Sequence, residues 1–305
     1  MLKVVEGYAI IWLVIAVGYI LGKRNLLGEG AQPMLGRLAF WVTGPAIMFQ
    51  MLSTADLKAV FGAPLTIAAT SSAIAWAIMF AWFRARRRPA DEAVIGALTG
   101  SYANVGNLGL PFAAFVLGSP SYLVAPMIFQ FVLLQPLTVI LMDTTAPGRS
   151  RNPLRVIVQL LLNPMIWGTI LGIVISLARI DLPDVITEPV HLLAAAQVPV
   201  LLLGFGISLV GARLFGARAG RTDIVAASIM KIVGMPLIAW LMTLAMGLDA
   251  EATFIIVSLA ALPSAQNVFV TATRYGVATA HARQTVLLTT VASAPIMIGL
   301  AGLLT

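Results

Sequence analysis

Cysteine is absent from this chain of 305 residues, which excludes disulfides and thiolate chemistry. Histidine occurs only at His191 and His281, too few and too far apart to suggest a metal site, so no metal or other cofactor is expected. Charge is scarce: 10% of the residues are Asp, Glu, Lys or Arg, against 60% hydrophobic. A soluble domain of this size does not need so much apolar surface. What fills the chain instead is a succession of apolar runs of about 20 residues, the length that crosses roughly 30 Å of hydrocarbon. The net charge of +7 would in a soluble chain suggest nucleic acid. Here the basic residues lie in short loops between apolar runs, a signal of membrane topology that leaves nucleic acid no role.

Ten spans are expected in the lipid bilayer, at roughly 5–22, 34–53, 60–83, 92–115, 121–142, 157–178, 189–210, 223–246, 251–273 and 283–304. No connection is long enough to hold a soluble domain. The run after Lys3 lacks a small-residue cleavage site and ends at Lys23-Arg24, so it is expected to stay as the first span rather than be removed as a signal peptide.

The loops after odd-numbered spans carry Lys23, Arg24, Arg37, Arg84, Arg86, Arg87, Arg88, Arg149, Arg151, Arg155, Arg213, Arg218, Arg221, Arg274 and Arg283, fifteen of the nineteen basic residues. The other side has Lys3, Lys58 and Arg179, with Asp56, Asp181, Asp184, Glu188, Asp249 and Glu251. By the positive-inside rule both termini lie on the non-cytoplasmic side. Half of ten spans is five, so homologous halves, 1–148 and 149–305, must be inserted with opposite orientation. Three spacings agree with such an inverted repeat. Gly18 and Gly172 are 154 residues apart, as are Pro45 and Pro199, and Ser101 and Ser258 are 157 apart.

Spans four and nine contain residues that a membrane helix should avoid. Span four has Asn104, Gly106, Asn107, Gly109 and Pro111; span nine has Pro263, Ser264, Gln266 and Asn267. Proline removes a backbone donor and crowds the preceding turn, and glycine admits conformations closed to other residues. Together they predict a break near mid-membrane, with freed amides and carbonyls that protein, water or a ligand must satisfy. Asparagine and glutamine add side-chain donors and acceptors. Half-helices starting at the two breaks would direct positive dipole ends at one point, which suits a carboxylate. Kinks and small-residue packing would leave the same trace singly. A matched pair of broken spans is the pattern of a secondary-transporter binding site.

Other polar residues are sparse. No Asp or Glu lies deep in an expected span; Asp143 and Asp223 stand at edges. This argues against a sodium/proton antiporter, which needs a buried carboxylate. Lys231 lies about eight residues into span eight, roughly 12 Å along a helix. Two readings of it stand: a counter-charge for an anion or fixed substitute for a sodium ion, or a side chain snorkelling to the interface. Gln130, like Gln50, Gln135 and Gln197, either bonds a neighbouring helix or touches substrate. Pro45 and Pro199 shape spans two and seven and are carried as outer candidates for substrate contact. An intramembrane enzyme would need an Asp-rich metal site, a His-x-x-x-His pattern or a Ser/Lys or Asp/Asp pair, and none is evident. A channel fits broken, crossing helices poorly.

Asn104-x-Gly106-x-x-Gly109-x-Pro111, Pro45-Ala46-Ile47-Met48-Phe49 and Pro263-x-x-x-Asn267 followed by Tyr275-Gly276 resemble the auxin efflux carrier family. Asn163-Pro164 before Gly168 and Gly172, and Lys231 before Pro236, fit the same pattern. The resemblance covers nearly the whole chain. It implies an all-α polytopic protein of ten transmembrane helices in two inverted five-helix repeats, similar to the bile-acid symporter fold, with helices four and nine broken and crossing. It further implies a scaffold of 1–56 and 157–212, a mobile transport domain of 57–148 and 221–305, and a homodimer through the scaffold. Asn104 and Asn267 would hold a carboxylate. The expected activity is transport of a small organic anion, such as malonate or an auxin-like acid, by elevator-type alternating access in a bacterial inner membrane. A sodium-coupled organic-anion symporter is the alternative.

Overall fold

The computed structural model describes residues 2–55, 57–145, 158, 161–211 and 220–304. It is 83% helix, with no strand among the described residues. Arg149, Arg151, Arg155, Arg213, Arg218 and Asp56, which helped orient the spans, lie outside the described residues, as do the expected boundaries at 56, 148/149, 157 and 212.

The main helices, in chain order, are α1 (Leu2–Lys23), α2 (Gly44–Ser53), α3 (Ala63–Ala85), α4 (Ala90–Ser101), α5 (Val105–Phe115), α6 (Pro120–Thr145), α7 (Pro164–Ala178), α8 (Asp184–Ser208), α9 (Arg221–Ala245), α10 (Ala250–Ala260), α11 (Gln266–Tyr275) and α12 (Thr279–Leu304). Helices α3, α6, α8 and α9 are long and apolar enough to cross a membrane. The helices α1 and α12, of 22 and 26 residues, and several shorter ones occupy the other expected segments. Leu13, Leu177 and Leu192 are exposed large apolar side chains, as lipid-facing positions allow.

α1 packs along α8, and α2 along α7. Both contacts are close because glycine faces a carbonyl. A Cβ on Gly18 would stand 2.4 Å from the Leu203 oxygen, one on Gly172 2.9 Å from that of Phe49, and one on Gly168 2.4 Å from that of Pro45. Small residues let backbones approach where lipid supplies no hydrophobic drive between helices. The first two contacts share a number: 172 − 18 and 203 − 49 are both 154. Between these pairs the Thr43 hydroxyl donates to Gln197 Oε1, and these residues are also 154 apart.

A second group comprises α3, α4, α9, α10, α11 and α12, which touch one another in turn, with α6 alongside α3 and α4. At its arginine-rich end, Asp223 of α9 accepts from Arg86 at 2.6 Å and Arg88 at 2.8 Å, both following α3, and from the Trp82 indole at 3.3 Å. Asp143 of α6 accepts from the Tyr275 hydroxyl of α11 at 2.9 Å. The two edge carboxylates are thereby held away from the broken segments.

Candidate functional site: the crossing of two broken helices

The proline- and glycine-rich segments break their helices as expected. α4 ends at Ser101, and Tyr102 is extended, with φ −92 and ψ 104. A π-helical turn over Val105–Gly109 then restarts the helix, with Pro111 in its next turn, where a missing N–H does no harm. In the second segment α10 ends at Ala260, and Ala265 is extended, with φ −71 and ψ 140, before α11 begins.

The two extended pieces meet antiparallel at Ala103 and Ser264. The Asn104 amide donates to the Pro263 oxygen at 2.8 Å, and the Ala265 amide donates to the Tyr102 oxygen at 2.9 Å. This corrects one expectation: the amides freed by the breaks are not all open to a ligand, because each break satisfies the other. Two flanking side chains complete the pairing. Gln130 Nε2 of α6 donates to the Ala103 oxygen at 2.8 Å, and Thr289 Oγ1 of α12 accepts from the Ser264 amide at 3.1 Å.

The candidate side chains fall on different sides of this crossing. Asn104 is buried, 2% exposed; its Oδ1 accepts from the Asn107 amide at 3.3 Å, and its Nδ2 has no partner. The Ser264 hydroxyl is likewise buried without one. A buried donor left unpaired is unfavourable by about 1–3 kcal/mol, so Asn104 Nδ2 is ready to donate to an incoming acceptor. Asn107 Nδ2 donates to Gln266 Oε1 at 3.1 Å and so joins the two breaks. Asn267 is exposed, and its side chain lies beside the buried Tyr102 hydroxyl. A Cβ on Gly106 would meet no atom within 4 Å, so that side is open. Gly109 is closed in, where a Cβ would crowd Leu262 at 3.0 Å, and Pro111 and Pro263 are buried.

A cavity of ≈ 360 Å³ ends on the crossing. It runs from Thr54, Ala55 and Ser121, at the helix ends remote from Arg84–Arg88, down to Ala103, Gln130 and Ala260. Ser71, Ser72 and Tyr122 give it polar points among mostly apolar walls, and no basic residue lines it among the described residues. Of the candidate residues, Gln130 alone lines this cavity. A hollow of ≈ 30 Å³ on the other face touches Pro263, Leu108 and Thr290.

Three open readings narrow. Lys231 does not snorkel: it has no exposed surface, and its Nζ donates to the Ala260 oxygen at 2.7 Å. Pro45 and Pro199 line neither hollow; the Pro45 carbonyl seats Gly168, and Pro199 is exposed. Gln197 bonds Thr43, as a helix-to-helix contact. Sequence reasoning missed Tyr102, Ser71, Ser72 and Thr289. Tyr102 adjoins the Asn-Gly cluster and was legible by position, whereas the others depend on how distant helices pack.

An all-helical, apolar chain whose broken helices cross beside a cavity has the build of a membrane carrier. The chain belongs to the membrane transport protein family, whose model matches residues 3–301, and with it to the auxin efflux carriers. A Rhizobium meliloti (strain 1021) protein named "Putative malonate transporter" is 26% identical over 294 residues, 94% of this chain and 91% of its own length. The "Uncharacterized transporter YfdV" of Escherichia coli (strain K12) is 24% identical over 276 residues, 88% of this chain and 87% of its own. An "Uncharacterized transporter" of Methanothermobacter thermautotrophicus is 27% identical over 202 residues, 65% of each chain. The protein is thus an integral membrane transporter, not an enzyme.

Proposed function

We propose that the protein is a secondary carrier of small organic anions, mono- or dicarboxylates, working by elevator-type alternating access in a bacterial inner membrane. The observation that carries this reading is the crossing itself. Two half-helices begin at one point, a buried Asn104 amide has a free donor there, and a cavity ends at the adjoining Ala103. Helix starts favour negative charge, and carboxylates accept from amide donors. In this reading Asn104 and Asn267 hold the carboxylate, with Asn107 and Gln266 beside them, and the cavity is the route from the non-cytoplasmic side.

The two helix groups supply the moving parts. The pairs α1/α8 and α2/α7 form the scaffold, and the group around the crossing forms the domain that slides. Ten spans in two inverted repeats agree with the recurring 154-residue spacing in the scaffold contacts. The crossing has the same exchange: the Asn104–Pro263 and Ala265–Tyr102 bonds map onto one another when 161 is added, since 104 + 161 = 265 and 102 + 161 = 263. The name of the Rhizobium relative makes malonate the first substrate to try.

The test is uptake of labelled malonate and of labelled aromatic monocarboxylates into proteoliposomes. Asn104→Ala and Asn267→Ala are each expected to lower uptake by about tenfold or more, the loss of one hydrogen bond to a charged group. Unchanged KM and rate in both variants would remove the crossing from the site. Orientation is read separately: in this cysteine-free chain Arg87→Cys is expected to resist labelling from outside, and labelling there would invert the topology.

A further inference from the structure

The two asparagines read as carboxylate ligands are oriented by different means. An asparagine amide has nearly the same shape either way round, but its nitrogen donates and its oxygen accepts. Which end faces a ligand is decided by what holds the other end. At Asn104 the Asn107 backbone amide donates to Oδ1 at 3.3 Å, so Nδ2 is the end left to donate. Asn104 can accept this bond because it caps the turn Val105–Gly109. Asn267 has no such place. It is the second residue of α11, whose cap is Ala265, a residue with no side-chain acceptor. Its side chain is exposed, and among the described residues no amide of its own helix holds its oxygen.

A donor for that oxygen stands on the other break. Tyr102 follows the last residue of α4, and the Asn267 side chain lies beside its hydroxyl. Tyr102 is 3% exposed, and its backbone is pinned at both ends. Its amide donates to the Leu98 oxygen at 2.9 Å, and its own oxygen accepts from the Ala265 amide at 2.9 Å. The ring packs in one cluster with Ile95, Leu98, Phe129 and Val268. The hydroxyl is therefore a fixed donor next to an exposed amide that can turn. It is buried without a hydrogen-bond partner, and a rotation of the Asn267 amide would give it one.

We propose that Tyr102 is a positioning residue for the substrate: its hydroxyl donates to Asn267 Oδ1 and so turns Asn267 Nδ2 toward the bound carboxylate. The proposal rests on the reading of Asn104 and Asn267 as the carboxylate's ligands. Each asparagine is then set by a donor on its oxygen, Asn104 by a backbone amide and Asn267 by a phenol from the opposite half of the chain. Pairing a buried hydroxyl is itself favourable, so the rotation that serves the substrate also completes Tyr102. The arrangement selects as well as binds. With both oxygens engaged, the two asparagines offer N–H donors and no acceptor, which favours a carboxylate over the neutral amide of the same shape.

Tyr102→Phe keeps the ring and its packing and removes only the hydroxyl. In proteoliposomes with labelled malonate, or with the aromatic monocarboxylate where malonate is not carried, KM is expected to rise about tenfold with the maximal rate nearly unchanged, a ratio equivalent to about 1.4 kcal/mol. A residue that only held the fold would instead lower the amount of working carrier, and so the maximal rate, at constant KM. In the Asn267→Ala background the same substitution is expected to leave KM nearly unchanged, since the side chain it positions is gone. Tm in detergent without substrate is expected to equal that of the wild type, because the hydroxyl makes no hydrogen bond for the variant to lose. A wild-type KM in Tyr102→Phe, a rise that persists in the Asn267→Ala background, or a Tm lowered by several degrees overturns the assignment, and so does a variant that fails to fold. If the wild type carries none of these carboxylates, the carrier reading fails and the assignment falls with it. A wild type that transports, matched by Tyr102→Phe, removes Tyr102 alone and leaves the carrier reading standing.

Discussion

Where α1 meets α8 and α2 meets α7, glycine serves by its missing side chain: Gly18, Gly168 and Gly172 each admit a neighbour's carbonyl to within 2.4–2.9 Å of where a Cβ would stand. At the crossing, Gly106 faces open space and Gly109 closes onto Leu262 beside a restarting helix. The paired helices hold together by fit and carry few polar contacts, Thr43 with Gln197 being one. The crossing holds together by backbone bonds and amide side chains, some of them unfinished. Close fit makes a rigid body, and unfinished polarity makes a place for something to bind. The proposed sliding of one part over another would use one region of each kind.

The comparison can be broken most severely at the paired helices. Gly18→Val or Gly168→Val puts a branched side chain against a carbonyl that cannot yield. We expect at least about 3 kcal/mol of destabilisation, the upper end for overpacking, seen as loss of folded protein or a large fall in Tm in detergent. At the crossing, Gln130→Leu leaves the Ala103 carbonyl without its donor. About 1–3 kcal/mol is expected, measured as lower Tm together with slower uptake, since Gln130 also lines the cavity. If Gln130→Leu lowers neither, the crossing does not depend on its flanking helices. Asn107→Ala cuts the bond to Gln266, half-buried and neutral, so a stability change of about 1 kcal/mol is expected. The smallest effect sharpens the contrast. Gly106→Ala is expected to leave Tm nearly unchanged, because the added methyl meets nothing within 4 Å, and to alter uptake only. A Gly106→Ala protein as unstable as Gly18→Val would erase the distinction between the two regions.

Much of this is legible in the sequence. The scarcity of charge defined a membrane protein, and the Asn-Gly-Pro clusters located both breaks to within a few residues. Gly18 and Gly172, paired in the sequence by their 154-residue spacing, each sit at a close helix contact, with Leu203 and Phe49 respectively. What escaped was pairing over long sequence distance. Nothing local says that the Asn104 amide finds Pro263, 159 positions away (263 − 104), rather than a ligand. Lys231 could be placed at its depth, but whether it turned to the interface or to α10 depended on how α9 and α10 are rotated against each other. Pro45 and Pro199 were drawn toward the site by helix-bending chemistry alone, and that chemistry serves packing equally well.

The bond between Thr43 and Gln197 has one further consequence. Under the two-fold reading, residues 154 apart are counterparts, so here a residue touches its own counterpart. Such a contact lies on the axis of the pseudo-dimer. In an ancestor assembled from two identical chains, the same position would have faced itself, as threonine against threonine or glutamine against glutamine. A donor–acceptor pair between unlike residues became available only once the two copies were fused and free to diverge. On that reading Thr43 and Gln197 mark a place where divergence of the halves replaced a contact between identical residues by one between unlike residues.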